Sequence, residues 1–172
     1  MKKTEDELHQ LLEKFSKDLP HFSDERIDYS ESDIAPVITV FVAFHNEFLL
    51  LKRSSDVRTY KEKWNTVAGY LDDPKQSIFE KVLEELKEEL NITKHFISSY
   101  SFGKRYQFTD KGNGKTWIVH PTLVMLTEKP DIKLNWEHSS FRWITVDELY
   151  NFDTVPNLRE SMNRAFSLDL KK

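Results

Sequence analysis

The fold is decided by Ser77-Ile78-Phe79-Glu80-Lys81-Val82-Leu83-Glu84-Glu85-Leu86-Lys87-Glu88-Glu89-Leu90-Asn91. Ser77 and Glu80 have the spacing of a capping box, and Phe79, Val82, Leu83, Leu86 and Leu90 share one helical face. Asn91 suits a left-handed terminator. These signals predict a helix over 78–90. Its acids are not arranged as a solvated face arranges them. Advancing ~100° per residue from Glu85 puts Glu89 near +40° and Glu88 near −60°, against an apolar stripe spanning roughly +60° to +160°. Glu89 therefore borders the buried side. Glu84 with Glu88 and Glu85 with Glu89 are like-charge pairs at i,i+4, each costing an isolated helix roughly a few tenths of a kcal/mol. Lys81 is the one cation inside their arc. Carboxylates crowded at the margin of a core form a hard-oxygen site suited to Mg²⁺ or Mn²⁺.

Working outward, 37–44 and 48–51 are β-prone runs joined by His45-Asn46-Glu47, a hairpin-like connection. Residues 64–71 form a third predicted strand, followed by the loop signal Asp72-Asp73-Pro74. Beyond the acidic helix, strands are predicted at 96–102, 106–109, 117–126 and 141–144, with a turn at 110–114 and a last helix over 158–168. Near the start, Thr4 and Glu7 have capping-box spacing, and Leu8, Leu11, Leu12 and Phe15 mark an amphipathic helix before Pro20. Residues 21–35 read as a polar linker. The expected organisation is a helix and linker over 1–35 packed on a body over 36–172. Strands enclosing a central helix, with further helices outside, predict an α+β or α/β sandwich.

The 172 residues suit one ordinary domain, and Lys+Arg 25 against Asp+Glu 29 gives a net charge of −4. That balance argues against a nucleic-acid partner, and 38% hydrophobic residues argue against disorder. With no cysteine there is no disulfide, thiolate metal site or cysteine nucleophile. No apolar run approaches the ~20 residues of a membrane helix, and the first ten residues lack a signal-peptide core. A soluble, cytoplasmic protein is expected, with no membrane partner.

The segment Trp64-Asn65-Thr66-Val67-Ala68-Gly69-Tyr70-Leu71, its loop, and Glu85-Leu86-x-Glu88-Glu89-x-Asn91-Ile92 resemble the Nudix box, GX5EX7REUXEEXGU with U a bulky aliphatic. The strand order from Val37 to Leu149 is similar as well. Four departures stand out. The loop is one residue longer, Gln76 stands where the family has Glu, Glu84 replaces the Arg, and Asn91 replaces the last Gly. Aligning without the insertion puts Lys87 where a metal-binding Glu belongs, so that alignment is rejected. The Arg normally orients and neutralises the neighbouring glutamates, so an acid there strengthens cation demand or weakens catalysis.

The resemblance implies an α/β/α sandwich with a mixed central sheet, and Mg²⁺-dependent hydrolysis of a diphosphate linkage in a nucleoside triphosphate or nucleoside diphosphate derivative. It implies that Glu85, Glu88 and Glu89 hold Mg²⁺ or Mn²⁺, with the carbonyl of Ala68 or Gly69 as an extra ligand. The segment Leu134-Asn135-Trp136-Glu137-His138 before Phe141-Arg142-Trp143-Ile144 is similar to one in several Nudix pyrophosphohydrolases, which adds Glu137 as ligand or base. One of Glu88, Glu89 and Glu137 accepts the water's proton. A homodimer is common in the family.

Arg53, Arg58, Lys61 and Lys63 are candidate phosphate contacts, as are Lys104, Arg105, Lys111 and Lys115 around the later turn. Tyr60, Tyr106, Phe108 and Trp117 are candidates for stacking on a base, while His120 reads as a structural histidine. Two other functions fit the same resemblance. A non-catalytic module that binds a nucleotide or protein is kept open by Gln76 and Glu84. Isopentenyl diphosphate isomerase chemistry relies on a cysteine that this chain lacks.

Overall fold

The structure, a computed structural model, describes residues 1–167. In chain order the elements are α1 (Lys2–Asp18), β1 (Ile34–Phe44), β2 (Glu47–Arg53), β3 (Trp64–Asn65), β4 (Val67–Tyr70), α2 (Ile78–Leu90), β5 (Ile97–Phe102), β6 (Tyr106–Thr109), β7 (Thr116–Leu126), β8 (His138–Thr145) and α3 (Leu158–Ala165). All eight strands join one mixed sheet. β1 is its axis. One edge runs parallel with β7 from Ile34 to Ala43, while the other pairs antiparallel first with β4 and then with β2.

Strand alternation sorts β1 between two cores. Ile38, Val40 and Val42 face Leu8 and Leu12 of α1 and Val82, Leu86 and Leu90 of α2. Phe41 and Ala43 face Leu158, Met162 and Ala165 of α3. Helices therefore cover both faces, as an α/β/α sandwich requires. Each fully buried Leu, Ile or Val contributes roughly 1.5–3 kcal/mol relative to exposure.

α2 forms over the expected residues, with a complete Ser77–Glu80 capping box and a left-handed Asn91 at φ 58°. Other expectations are corrected. Residues 64–71 are not one strand: β3 pairs with β2, β4 pairs with β1, and Thr66 between them donates its hydroxyl to the Val40 carbonyl. β8 starts at His138 because Arg53 of β2 reaches that far along it. The Thr4 capping box does not form, since α1 starts at Lys2 and places Thr4 inside its first turn. Glu5 instead accepts the Ile78 N–H at the start of α2. Residues 21–33 are not merely a polar linker: Ile27 and Tyr29 are buried with Ala35, and Phe15 packs against them. α3 ends at Ala165, and Leu168, the expected end of that helix, lies outside the described residues.

Candidate active site

Because β4 leads directly into the loop before α2, the backbone of Ala68 and Gly69 lies against the acidic face of that helix. A Cβ on Gly69 would overlap the Glu85 carboxylate, so glycine is what lets Glu85 rest on the strand. One turn further along α2, Glu89 is 1% exposed. Its Oε1 accepts the Ala68 N–H at 3.4 Å, and its Oε2 lies 2.6 Å from His138 Nε2. Glu88 is exposed beside them.

A groove of about 370 Å³ starts at Glu85, Glu88 and Glu137 and crosses Ala68, Gly69 and Thr39 to reach Trp117, Phe108 and Tyr106. Arg53 and Tyr60 line it from the segment around β2 and β3. Glu137 is held there by its loop. Its N–H donates to Asn135 Oδ1 at 3.0 Å, and its carbonyl accepts the Ser54 N–H at 2.7 Å. The Tyr60 hydroxyl donates to Asp110, which joins the 54–63 segment to the turn after β6.

The electrostatics are those of an acid-rich site in which Lys81 is the cation buried among the carboxylates of α2. Lys81 is 3% exposed, and its Nζ lies 2.7 Å from Glu84 Oε1, 2.9 Å from Glu85 Oε1 and 3.9 Å from Asp72 Oδ1. Burial opposes its charge, but Glu85, Glu84 and Asp72 outweigh burial and hold its pKa above the ordinary lysine value. Burial pushes Glu85 up to about 8 against the pull of Lys81, with repulsion from Glu89 and Glu88 added. Glu89 is likewise raised by burial, then by Glu137. Burial drives His138 down to about 4. The residues therefore fit a divalent ion: hard carboxylate oxygens are crowded beyond what Lys81 neutralises, beside a strand opened by a glycine. Glu85 and Glu88 have carboxylate oxygens within 4.8 Å of one another and of Glu84, whose two oxygens are engaged by Lys81 and Gln76.

Of the residues singled out from sequence, Glu85, Glu88, Glu137 and Arg53 share the groove, and Glu89 lies buried beneath it. Tyr60, Tyr106, Phe108 and Trp117 line it too. Arg58 is exposed near Tyr70 and outside the lining. Lys104 and Arg105 are also exposed and outside it, and their carbonyls accept from Arg164 Nη1 at 3.2 and 3.4 Å. Lys115 Nζ sits over the Tyr70 and Trp117 rings at 5.8 and 5.5 Å. Sequence reasoning missed His138 as the partner of Glu89, although it directly follows Glu137. It noted Lys81 only as a cation inside the arc, where i,i+3 and i,i+4 spacing from Glu84 and Glu85 was the available signal.

The arrangement is a mixed sheet between helices, with an acidic helix packed on a glycine-bearing strand and an acid on the loop before β8. The sequence pattern of the NUDIX domain family matches residues 34–166. The chain therefore belongs to the NUDIX domain family and is a pyrophosphohydrolase, a group that generally uses divalent metal ions. Among curated relatives, the Bis(5'-nucleosyl)-tetraphosphatase [asymmetrical] of Caenorhabditis elegans is 28% identical over 102 residues, covering 59% of this chain and 70% of that protein. Among solved structures, the MutT protein of Methanosarcina mazei Go1 is similar with a TM-score of 0.64 and 25% identity, covering 80% of this chain and 96% of that one. A C. elegans Ap4A hydrolase binary complex shares the fold with a TM-score of 0.60 and 22% identity, over 77% of this chain and 95% of that one. Among the described residues, no helix is long and apolar enough to cross a membrane.

Proposed function

We propose that the protein cleaves a diphosphate linkage in a nucleoside triphosphate or nucleoside diphosphate derivative with Mg²⁺, Mn²⁺ substituting, and that residues 36–172 carry this activity. The observation that carries this reading is the continuity of the groove: acids at one end, Arg53 at its side, and an aromatic wall of Trp117, Phe108 and Tyr106 at the other. That sequence of surfaces suits a molecule with an anionic diphosphate and a flat base.

Glu85, Glu88 and Glu89 would hold the ion. When bound, Mg²⁺ neutralises phosphate charge and lowers the pKa of a coordinated water. Arg53, whose Nε is anchored on the Thr59 carbonyl at 3.0 Å, orients the diphosphate. Glu137, fixed at the groove mouth by Asn135 and Ser54, accepts the proton of the attacking water at its carboxylate. His138 keeps the Glu89 carboxyl turned toward β8, and Gly69 lets Glu85 stay against β4. A base stacks on the Trp117 end.

The C. elegans relative makes dinucleoside polyphosphates the first compounds to try. Nucleoside triphosphates, nucleotide sugars, ADP-ribose, NADH and dinucleoside polyphosphates are incubated with Mg²⁺ while released phosphate and nucleotide are measured. Turnover of a nucleoside diphosphate compound, lost on chelation, is expected. Absence of turnover across the panel, with retained nucleotide binding, would replace the reading by a non-catalytic binding module.

A further inference from the structure

We propose that Lys81 is the positioning residue that replaces the arginine of the Nudix box, and that Gln76, Lys81 and Glu84 form one interdependent set holding Glu85 in place. The inference rests on the reading of Glu85 as a metal-holding carboxylate. In the family pattern the cation stands immediately before that glutamate. Here that position is Glu84, and the cation sits one turn earlier on the same helix. A lysine at 81 is three residues from Glu84 and four from Glu85, so a single ammonium with three donors reaches both. It does so at 2.7 and 2.9 Å from a nearly water-free position.

Glu84 has two tasks in this set, neither of them ligation. Its Oε1 takes Lys81, and its Oε2 accepts Gln76 Nε2 at 2.6 Å. The first balances the lysine, so the pair adds orientation to Glu85 without adding net positive charge next to an incoming cation. The second explains Gln76. A glutamate at 76 would set a carboxylate within hydrogen-bond distance of the Glu84 carboxylate, which an amide avoids. Two departures from the box, unrelated in sequence, thus belong to one network with a residue outside its fixed positions. Asp72, also buried, lies 3.9 Å from Lys81 and is met by Arg26 at 3.5 Å, so the lysine is aimed at Glu84 and Glu85.

The test uses the full chain and Mn²⁺ alone as the calorimetric probe, with turnover of the best substrate as a second readout. Lys81→Met/Glu84→Gln removes the lysine together with its nearest carboxylate, so of that pair no charge is left unmatched and only Glu85 loses its cation; a melting transition checks that the variant folds. Losing a residue that orients a ligand typically costs 10–100-fold, so Mn²⁺ affinity and turnover should both fall by about that factor. Gln76→Glu/Lys81→Ala/Glu84→Arg restores the family arrangement, and both should return to within roughly threefold of wild type. Wild-type Mn²⁺ affinity in the first variant would reduce Lys81 to packing. Failure of the second to recover, with an intact melting transition, would show that the two cations are not equivalent. Either result overturns the inference while leaving wild-type turnover, and so the proposed function, untouched. A wild-type protein that binds no Mn²⁺ removes both, and one that binds Mn²⁺ without turning over any compound removes the proposed function alone.

Discussion

His138 Nε2 lies 2.6 Å from Glu89 Oε2, and both side chains are 2% exposed. Burial disfavours the ionised form of each. This contact fastens the first residue of β8 to the last full turn of α2, so it connects the Glu137 loop to the acidic helix. His138→Leu leaves a Glu89 oxygen buried without a partner, which should cost roughly 1–3 kcal/mol. Urea unfolding checks this. A change below about 0.5 kcal/mol, the scale of a surface substitution, would mean that the pair is dispensable.

Gly69 offers a second, more local test. A methyl group there meets the Glu85 carboxylate rather than a movable surface chain. Gly69→Ala should therefore keep the fold and displace Glu85, and misplacement by about 1 Å can cost on the order of 10²-fold in rate. Turnover and the melting temperature are measured together. Retained turnover would show that Glu85 can shift without consequence.

Much of this site was readable before any coordinates, for reasons that differ residue by residue. α2 announces itself through signals within residues 77–91: a capping box, an apolar stripe and a left-handed asparagine. Angular position alone separated Glu85 and Glu89 from the solvated Glu80 and Lys87. What failed depends on distant chain. Residues 64–71 look like one strand because nothing in them reveals that one edge of β1 serves two partners. Glu5 spends its carboxylate on Ile78, 73 residues away, so Thr4 and Glu7 only imitate a capping box. Lys104 and Arg105 lie outside the groove lining, on a turn whose carbonyls accept from Arg164 of α3, a contact that no local pattern signals.

Glu84→Arg tests the same limit, because sequence and structure predict opposite signs. From helix spacing alone, arginine at 84 relieves the repulsion with Glu88 and stabilises the protein. In the structure, Glu84 is the 2.7 Å partner of a buried lysine, and Arg26 also acts on it. A second cation beside Lys81 should therefore destabilise the fold by roughly 1–3 kcal/mol. Denaturant titration decides, and a stabilised variant would discredit the Lys81–Glu84 contact.

A residue outside the groove couples pH to stability. His120 on β7 is 3% exposed, and neither ring nitrogen has a hydrogen-bond partner. Burial, and then Arg105, push its pKa from 6.5 down to about 4. The unfolded chain, with an ordinary histidine, binds the proton more readily than the folded one. Stability contributed by neutral His120 is therefore fully present above about pH 6.5 and is lost as pH falls toward 4, by up to about 3 kcal/mol at ~1.4 kcal/mol per pH unit. His138 titrates in the same direction, so the slope of the wild type alone is not diagnostic. His120→Leu removes only one of the two. Urea unfolding free energies of both proteins from pH 7 to pH 4 should diverge, with the wild type losing more. Parallel curves would show that the folded protein accommodates a charged His120.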